Sequence, residues 1–191
     1  ARDAQKLWEK VPAFERGQYL KKIGNKIKEN ASKIVNIIIQ EQGKIKSLAE
    51  GEVNSTAEYF QYMAEWARRI EGEIITSDAK NENIFLYRVP MGVVAGILPW
   101  NFPFFLIARK IAPALVTGNA VVIKPSEETS NNAYFFTKII DELDIPKGLI
   151  NFVYGRGETV GKHLSAHPGI DMISFTGSVE TGSLIMQEAG K

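Results

Sequence analysis

From residue 91 onwards, strand-like runs alternate with helix-like runs, and this alternation constrains the fold more than any other feature of the sequence. The strand-like runs are short and rich in Val, Ile and Phe, and each is followed by a longer stretch with helical periodicity. The strand-like runs are 93-VVAGIL-98, 120-AVVIK-124, 149-LINFVY-154 and 171-DMISF-175, and the helical stretches cover about 103–117, 129–143, 157–166 and 178–190. Strand–helix repeats of this kind predict an α/β fold, in which a Rossmann-like parallel sheet has helices on both faces.

The segment before this alternation is predicted to be helical. A break at Val11-Pro12 precedes an amphipathic helix, Ser32 is predicted to cap the next helix, and Gly43 is predicted to end it. A further amphipathic pattern covers about 48–70. The helix after the break is predicted to carry four apolar residues on one side: Phe14, Leu20, Ile23 and Ile27.

Residues 73–89 are predicted to form a β-hairpin that projects from the main body. EIITS and NIFLYRV are β-branched and aromatic runs, and the polar, turn-rich segment 78-DAKNEN-83 separates them.

Composition and charge exclude several classes of function. The formal net charge is +1, so the sequence gives no reason to expect a nucleic acid partner. The chain has no cysteine, which excludes disulfides, thiolate metal sites and a cysteine nucleophile within it. The two histidines lack an obvious acidic partner, so we expect no metal site.

The uncharged stretch 91–108 is long enough to raise the question of a membrane span. Glycines, prolines and Asn101 interrupt its middle, where lipid would leave backbone groups unpaired. We therefore expect a buried strand followed by a buried helix, with no membrane partner. The start, ARDAQKLWEK, reads as a charged amphipathic helix and not as a signal peptide, so we expect a cytoplasmic protein.

Ligands of such sheets bind at the carboxyl ends of the strands, so the four strand-to-helix corners supply the candidate site residues. The corners read PWNFP, KPSEE, YGRGETVG and FTGSVETG. In the first corner, Asn101 stands between Pro99 and Pro103, where an apolar residue would pack more easily. An Asn in front of a helix that begins with proline is typical of a helix cap.

The second corner has charged residues of both signs. Lys124 ends a strand, Ser126 lies in the turn, and Glu127 opens the next segment. A cation and a carboxylate three residues apart can both hydrogen-bond the hydroxyls of a ribose. The alternative is a carboxylate favoured by the helix macrodipole, next to a lysine whose stem covers apolar surface. The sequence leaves both interpretations open.

The third and fourth corners offer backbone N–H groups. The glycines of YGRGETVG suit either a tight turn or contact with a phosphate, and their spacing departs from the Rossmann fingerprint. In the fourth corner, Ser178 supplies a hydroxyl at a helix N-terminus, which suits either a pyrophosphate site or an ordinary N-cap.

Taken together, these corners resemble those of the NAD(P)-dependent aldehyde dehydrogenase family. The resemblance covers nearly the whole chain and is strongest at PWNFP, at 117-TGNAVVIKPSE-127, and at GRGETVG followed by SFTGS. Within the family, EYFQYMAEWARRIEGEII and NFPFFLIARK look most like the bacterial lactaldehyde and glycolaldehyde dehydrogenases. The resemblance implies NAD-dependent oxidation of an aldehyde to the acid. A cysteine thiolate attacks the aldehyde, hydride passes to the nicotinamide, and a glutamate helps water to release the acid.

The resemblance also implies roles for residues of this chain. Asn101 matches the amide that stabilises the oxyanion. Residues 98–100 would border the nicotinamide, Lys124 and Glu127 would hold the adenosine ribose, and the glycines and Ser178 would lie along the adenine and pyrophosphate. The cofactor-binding residues implied in this way are Leu98, Pro99, Trp100, Lys124, Ser126, Glu127, Gly157, Gly161, Lys162 and Ser178.

Three residues after the first corner are candidates for substrate binding. Helical spacing places Phe102, Leu106 and Arg109 close to one face, which should border the aldehyde because it follows Asn101. In many family members the position of Arg109 holds a large aromatic residue. A guanidinium there favours a substrate with oxygen beside the aldehyde, and hence a small hydroxyaldehyde. The alternative is that Arg109 pairs with an acid on the surface.

The family's nucleophilic cysteine and general-base glutamate have no counterpart in this chain. We therefore expect a fragment, with residues 1–72 and 90–191 as an incomplete NAD-binding domain, 73–89 as a hairpin for oligomer contacts, and no catalytic domain. The fragment alone is expected to be inactive, and the complete enzyme to be a homodimer or homotetramer. The alternative is a stand-alone, non-catalytic nucleotide-binding or interaction module derived from the family.

Overall fold

The structure is a computed structural model that describes residues 1–190. Within them the α-helices are α1 Arg2–Trp8, α2 Ala13–Glu29, α3 Ala31–Gln42, α4 Lys46–Ala64, α5 Pro103–Val116, α6 Asn131–Asp141, α7 Lys162–Ser165 and α8 Val179–Ala189. The strands are β1 Glu73–Thr76, β2 Asn83–Leu86, β3 Val93–Ile97, β4 Ala120–Lys124, β5 Ile150–Phe152 and β6 Met172–Phe175.

Four strands form a parallel sheet in the order β5-β4-β3-β6. In the central strand, Val94 lies opposite Val121 of β4 on one side and Met172 of β6 on the other. Since all four strands run in the same direction, their carboxyl ends, and the corners that follow them, lie at one edge of the sheet. The α/β class, the parallel sheet and the four strand–helix units predicted from the sequence are confirmed.

Helices cover both faces of the sheet because β3 presents alternate side chains to opposite sides. Val94 belongs to the main hydrophobic core, which also contains the apolar faces of α1 to α6. Ala95 and Ile97 belong to a second, smaller core with Leu164 of α7 and Ile185 of α8. All five residues of β3 are buried, as expected for the centre of a parallel sheet.

The N-terminal helices surround α5. α2 packs on α4, and α4 packs on α5. Side chains from α1 and α2 also hold the carboxyl end of α5. Trp8 Nε1 donates to the Leu115 carbonyl at 2.9 Å, and Arg16 Nε donates to the Val116 carbonyl at 3.0 Å. These bonds satisfy carbonyls that have no partner inside the helix, and the Arg16 charge lies at the favourable end of the helix dipole.

Two details of the helical prediction are wrong, and one is confirmed. α3 begins at Ala31 with Asn30 as its N-cap, because the Asn30 carbonyl accepts from Lys33 and Ile34, so Ser32 lies inside the first turn. Phe14 is 48% exposed and lies under the Arg68 guanidinium, outside the apolar side of α2. Gly43 ends α3 in the left-handed region, at φ 67°, as predicted.

β1 and β2 form the predicted hairpin, in which Glu73 lies opposite Leu86. Every residue of the two strands is exposed, including Ile74 at 78%. The hairpin therefore gains no stability from the core, and its role in oligomer contacts stays a prediction, as does the division into domains. None of the helices described in residues 1–190 is long and apolar enough to cross a membrane.

Two glycines within helices allow packing to be separated from helix propensity. A Cβ on Gly24 of α2 would lie 2.9 Å from the Ala57 carbonyl oxygen of α4, whereas one on Gly51 would meet nothing within 4 Å. We predict that Gly51→Ala raises the free energy of unfolding by about 0.5–1 kcal/mol. Gly24→Ala should be less stable than Gly51→Ala by about 1–3 kcal/mol, because the two helices must move apart. Urea denaturation of both variants measures the difference, and equal stabilities would contradict this packing.

Candidate functional site

Asn101 lies exposed at the corner between β3 and α5. Its Oδ1 accepts a hydrogen bond from the Phe102 backbone N–H at 3.1 Å. Because a backbone N–H can only donate, this bond orients the amide and leaves Nδ2 at its outer end. Among residues 1–190, Nδ2 has no hydrogen-bond partner. The corner therefore presents a free, oriented N–H donor at the edge where the strands end.

The backbone of this corner is held by the last residue of α3 and by the loop that follows it. Gln42 Nε2 donates to the Trp100 carbonyl at 2.6 Å and to the Asn101 carbonyl at 2.8 Å. Lys44 Nζ donates to the same Asn101 carbonyl at 2.9 Å. The Asn101 carbonyl thus accepts two hydrogen bonds, and its orientation is fixed by side chains remote in sequence.

Helix α5 is capped by Glu52 of α4, not by Asn101 as the sequence suggested. Glu52 Oε1 accepts from the backbone N–H groups of Phe104 at 2.9 Å and Phe105 at 3.2 Å. Its Oε2 pairs with Lys44 Nζ at 2.5 Å, and the side chains of Glu52 and Lys44 are 0% and 8% exposed. The Asn101 amide is therefore not needed for the cap.

Sequence reasoning missed Gln42, Lys44 and Glu52. Gln42 lies 59 residues from Asn101, and Glu52 lies 52 residues from Phe104. No local spacing marks such pairs. The only available signal was a charged residue, Glu52, on the buried side of an amphipathic helix, where an ionised group needs a partner.

Lys124 and Glu127 meet at the second corner, as their spacing suggested. Lys124 is buried, and its Nζ lies 3.0 Å from Glu127 Oε2 and 3.1 Å from the Pro125 carbonyl. Glu127 Oε1 accepts from the Gly157 N–H at 3.2 Å, which joins the second corner to the third. The Glu127 side chain remains 41% exposed, so its oxygens have room for further donors.

These contacts favour the charged form of Glu127. Burial acts to raise its pKa, but hydrogen bonds from backbone N–H groups and from Lys124 outweigh burial and hold the pKa below the usual glutamate value. The carboxylate is therefore ionised over the whole neutral range, as an acceptor of hydroxyl groups must be.

Ser126 has a structural contact at the same corner. Its Oγ accepts from the Glu128 N–H at 3.3 Å and caps the 3₁₀ turn Glu127–Thr129.

Glu41 of α3 accepts from the Asn131 N–H at 2.8 Å and so caps α6. Two adjacent residues, Glu41 and Gln42, thus each contact a different corner.

The third corner forms a single π-helical turn over Gly157–Gly161, followed by α7. Gly161 is buried, and a Cβ there would lie 3.7 Å from the Lys124 stem. A cleft of about 420 Å³ opens between this turn and α8, with Ile97 and Ile185 as apolar wall residues. Lys162 is 63% exposed at its rim, with Nζ 4.0 Å from Glu188 Oε1. A cleft of this size and lining suits a flat heteroaromatic group.

Ser178 is the N-cap of α8, where its Oγ accepts from the Thr181 N–H at 3.2 Å. This confirms the N-cap interpretation, while contact with pyrophosphate stays a prediction.

Leu98 of the first corner is buried, and its N–H donates to the Lys124 carbonyl at 3.1 Å, which links the first two corners. Pro99 and Trp100 follow it, and Trp100 is 58% exposed.

The profile of the aldehyde dehydrogenase family matches residues 1–191. The chain belongs to that family. It is 59% identical over 191 residues to the lactaldehyde dehydrogenase of Escherichia coli K12, covering 100% of this chain and 40% of that protein. A crystal structure of the E. coli enzyme superimposes with a TM-score of 0.98 at 58% identity, covering 100% of this chain and 40% of the other.

Other members of the family are similar over the same range. The D-glyceraldehyde dehydrogenase (NADP(+)) of Thermoplasma acidophilum is 40% identical over 189 residues, which is 99% of this chain and 38% of that protein. A structure of PnpE in complex with nicotinamide adenine dinucleotide matches with a TM-score of 0.95 at 37% identity, covering 100% of this chain and 39% of the other. The chain spans about 40% of the length of the lactaldehyde dehydrogenase.

The three residues predicted to border the substrate differ in exposure. Phe102 is 45% exposed, whereas Leu106 is buried in the main core, so the two do not share one open surface within residues 1–190. Arg109 lies six residues beyond the start of α5, about 9 Å along the axis. It borders a second cleft, of about 640 Å³, with Lys110, Tyr87 and Met172.

Arg109 makes no ion pair among residues 1–190. The alternative in which it pairs with a surface acid therefore finds no support within that part of the chain. Burial lowers the pKa of the neighbouring Lys110, and the Arg109 charge lowers it further. Two cations therefore share this wall, which favours an electron-rich group in the cleft.

Proposed function

We propose that this chain is the cofactor-binding part of an NAD-dependent dehydrogenase that oxidises a small hydroxyaldehyde to its acid. The observation that carries the proposal is the free Nδ2 of Asn101, oriented by its bond to the Phe102 N–H, at the edge of the sheet. Membership of the aldehyde dehydrogenase family supports the reaction type, and similarity to the E. coli lactaldehyde dehydrogenase supports the substrate class.

The residues present fit a nicotinamide dinucleotide. The Glu127 carboxylate is ionised and 41% exposed, and so can accept from both hydroxyls of a ribose. The cleft beside Gly161 has apolar walls for the adenine, and Ser178 begins a helix whose free N–H groups suit a pyrophosphate. When bound, the nicotinamide supplies the acceptor for the hydride.

Asn101 has the catalytic role in this chain. When a nucleophile adds to the aldehyde, the carbonyl oxygen becomes negatively charged, and Asn101 Nδ2 donates a hydrogen bond to it. A donor that is already oriented costs no reorganisation at that moment. The nucleophile must come from outside these 191 residues, which include no cysteine. Leu98, Pro99 and Trp100 fix the cofactor side of the same corner.

In the complete protein, Asn101→Ala should lower kcat for lactaldehyde about 10²–10³-fold, because it removes the donor to the oxyanion. The initial rate of NADH formation at saturating substrate measures kcat for each variant. Asn54→Ala, an exposed position on α4, is the matched control and should leave kcat unchanged. A loss of less than twofold in Asn101→Ala would contradict the proposed role.

The 191-residue chain alone should form no NADH, because it lacks a thiol.

We propose that the complete enzyme prefers NAD to NADP. A 2′-phosphate in place of the ribose hydroxyl would lie against the ionised Glu127 and would remove hydrogen bonds. The relative from T. acidophilum is named for NADP(+), whereas PnpE forms a complex with nicotinamide adenine dinucleotide, so both cofactors occur among relatives of this chain.

Glu127→Gln should reduce the ratio of kcat/KM for NAD to that for NADP by about tenfold, or about 1.4 kcal/mol. The substitution removes the charge that repels the phosphate and weakens the bonds to the ribose. Glu128→Gln, the adjacent exposed carboxylate, is the control and should preserve the ratio. The assignment of Glu127 fails if wild type favours NADP or if both variants give the wild-type ratio.

We propose that Arg109 selects a substrate with oxygen beside the aldehyde. Its guanidinium has no carboxylate partner among residues 1–190 and borders a cleft with mainly apolar walls. A charged donor in such a position gains most from a hydroxyl or carboxylate oxygen.

Arg109→Leu should lower kcat/KM for lactaldehyde and glycolaldehyde, with little change for propanal. The loss should correspond to about 1–3 kcal/mol of transition-state stabilisation. The three aldehydes are compared in parallel under identical conditions. Arg69→Leu, at an exposed position, serves as the control for loss of a surface charge. Equal losses on all three substrates would show structural damage and would exclude the proposed selectivity.

A further inference from the structure

We propose that Lys44 and Glu52 are positioning residues for Asn101, an inference that rests on the proposed function. They form an ion pair below the corner, and each of them also bonds to the backbone of the segment that begins with Asn101. Their contacts with this segment are to backbone groups and to the Phe102 ring, not to the Asn101 amide, so both would act through the geometry of the corner.

Lys44 holds the first half of this segment. Its Nζ lies 2.5 Å from Glu52 Oε2, 2.9 Å from the Asn101 carbonyl oxygen and 4.1 Å from the centre of the Phe102 ring. A single ammonium group therefore contacts both the carbonyl of Asn101 and the side chain that follows it. These contacts fix the rotation of the Asn101–Phe102 peptide, whose N–H in turn orients the Asn101 amide.

Glu52 holds the second half. Its Oε1 accepts from the N–H groups of Phe104 and Phe105, which are free at the start of α5. The same carboxylate binds Lys44 through its other oxygen. Both ends of the segment from Asn101 to Phe105 are thus joined to one ion pair, so the corner and the helix cannot shift independently.

Burial makes this arrangement specific. The Glu52 side chain is 0% exposed and that of Lys44 is 8% exposed, so little water reaches the ion pair itself. A buried charge without its partner is strongly unfavourable, which restricts the pair to the one geometry that satisfies both groups. The two charges also compensate each other, so the pair affects the oxyanion through position and not through a net field.

A helix cap from within the corner would not couple the corner to another helix. A serine or aspartate in front of α5 would satisfy its N–H groups from within the corner, and would move with it. Here the cap comes from α4, which packs along α5. Gln42 still donates to the Trp100 and Asn101 carbonyls if the ion pair is removed, so we expect a displaced corner, not an unfolded one. A displacement of about 1 Å can lower a rate about 10²-fold.

The test uses the complete enzyme and the double variant Lys44→Met/Glu52→Gln, which removes both charges and so leaves no buried charge unpaired. We expect kcat for lactaldehyde to fall at least about tenfold while the KM for NAD stays within about twofold. The single variant Lys44→Arg keeps the positive charge and should therefore lose less kcat than the double variant. Lys46→Met, an exposed lysine two residues away, is the matched control and should match wild type.

The double variant is also introduced into Asn101→Ala. If the pair acts through the amide, it should change kcat less than about twofold in that background, because the group that it positions is absent. An equal loss of kcat with and without the Asn101 amide would show a general structural role and would overturn the proposal.

Hydrogen exchange gives a readout that does not depend on turnover. In the double variant, peptides covering residues 98–110 should exchange at least about fivefold faster, while peptides from α6 should be unchanged. Unchanged exchange over 98–110 would overturn the positioning claim even if kcat falls. Absence of aldehyde turnover in wild type would instead contradict the proposed function, and the exchange result would still decide whether the pair orders the corner.

Discussion

At the start of helix α5, a buried carboxylate from another helix accepts hydrogen bonds from two backbone N–H groups of the first turn. Glu52 supplies that carboxylate, and Trp8 and Arg16 hold the carbonyls at the opposite end of the helix. Both ends of the helix that follows the central strand are thus satisfied by the N-terminal helices. The strand–helix repeat is consequently not self-sufficient, since its most buried helix depends on groups that precede the repeat in sequence.

The corners form one connected edge because hydrogen bonds run between them. The Leu98 N–H donates to the Lys124 carbonyl, and Glu127 accepts from the Gly157 N–H. Parallel strands bring the corners to the same edge, and these bonds help to fix the positions of the corners relative to one another. A ligand that contacts the first and third corners therefore meets groups whose separation is fixed by a chain of bonds through the second.

Much of this arrangement follows from local sequence. The strand runs, the left-handed Gly43 and the Lys124–Glu127 pair all depend on residues close in the chain, so pattern and spacing predict them. The prediction that Ser32 caps α3 is wrong, because Asn30, two residues earlier, occupies the N-cap position. Lys44 and Glu52 could not be assigned to the first corner, because a partner more than 50 residues away leaves no periodic signal. The roles of the site residues toward cofactor and substrate depend on family resemblance and stay proposals.

The position of β3 in the sheet has a consequence for how the chain acquires its structure during synthesis. Its bond to the β4 side closes across 27 residues, whereas its bond to the β6 side closes across 78. At a ribosomal rate of about 5–20 residues per second, the second neighbour of β3 is made about 3–10 s after the first. During that interval one edge of the most apolar strand is open, and α5 can already cover one of its faces. Early docking of α5 on the N-terminal helices therefore removes one apolar face of β3 from water, while its open edge stays available for pairing until β6 is made.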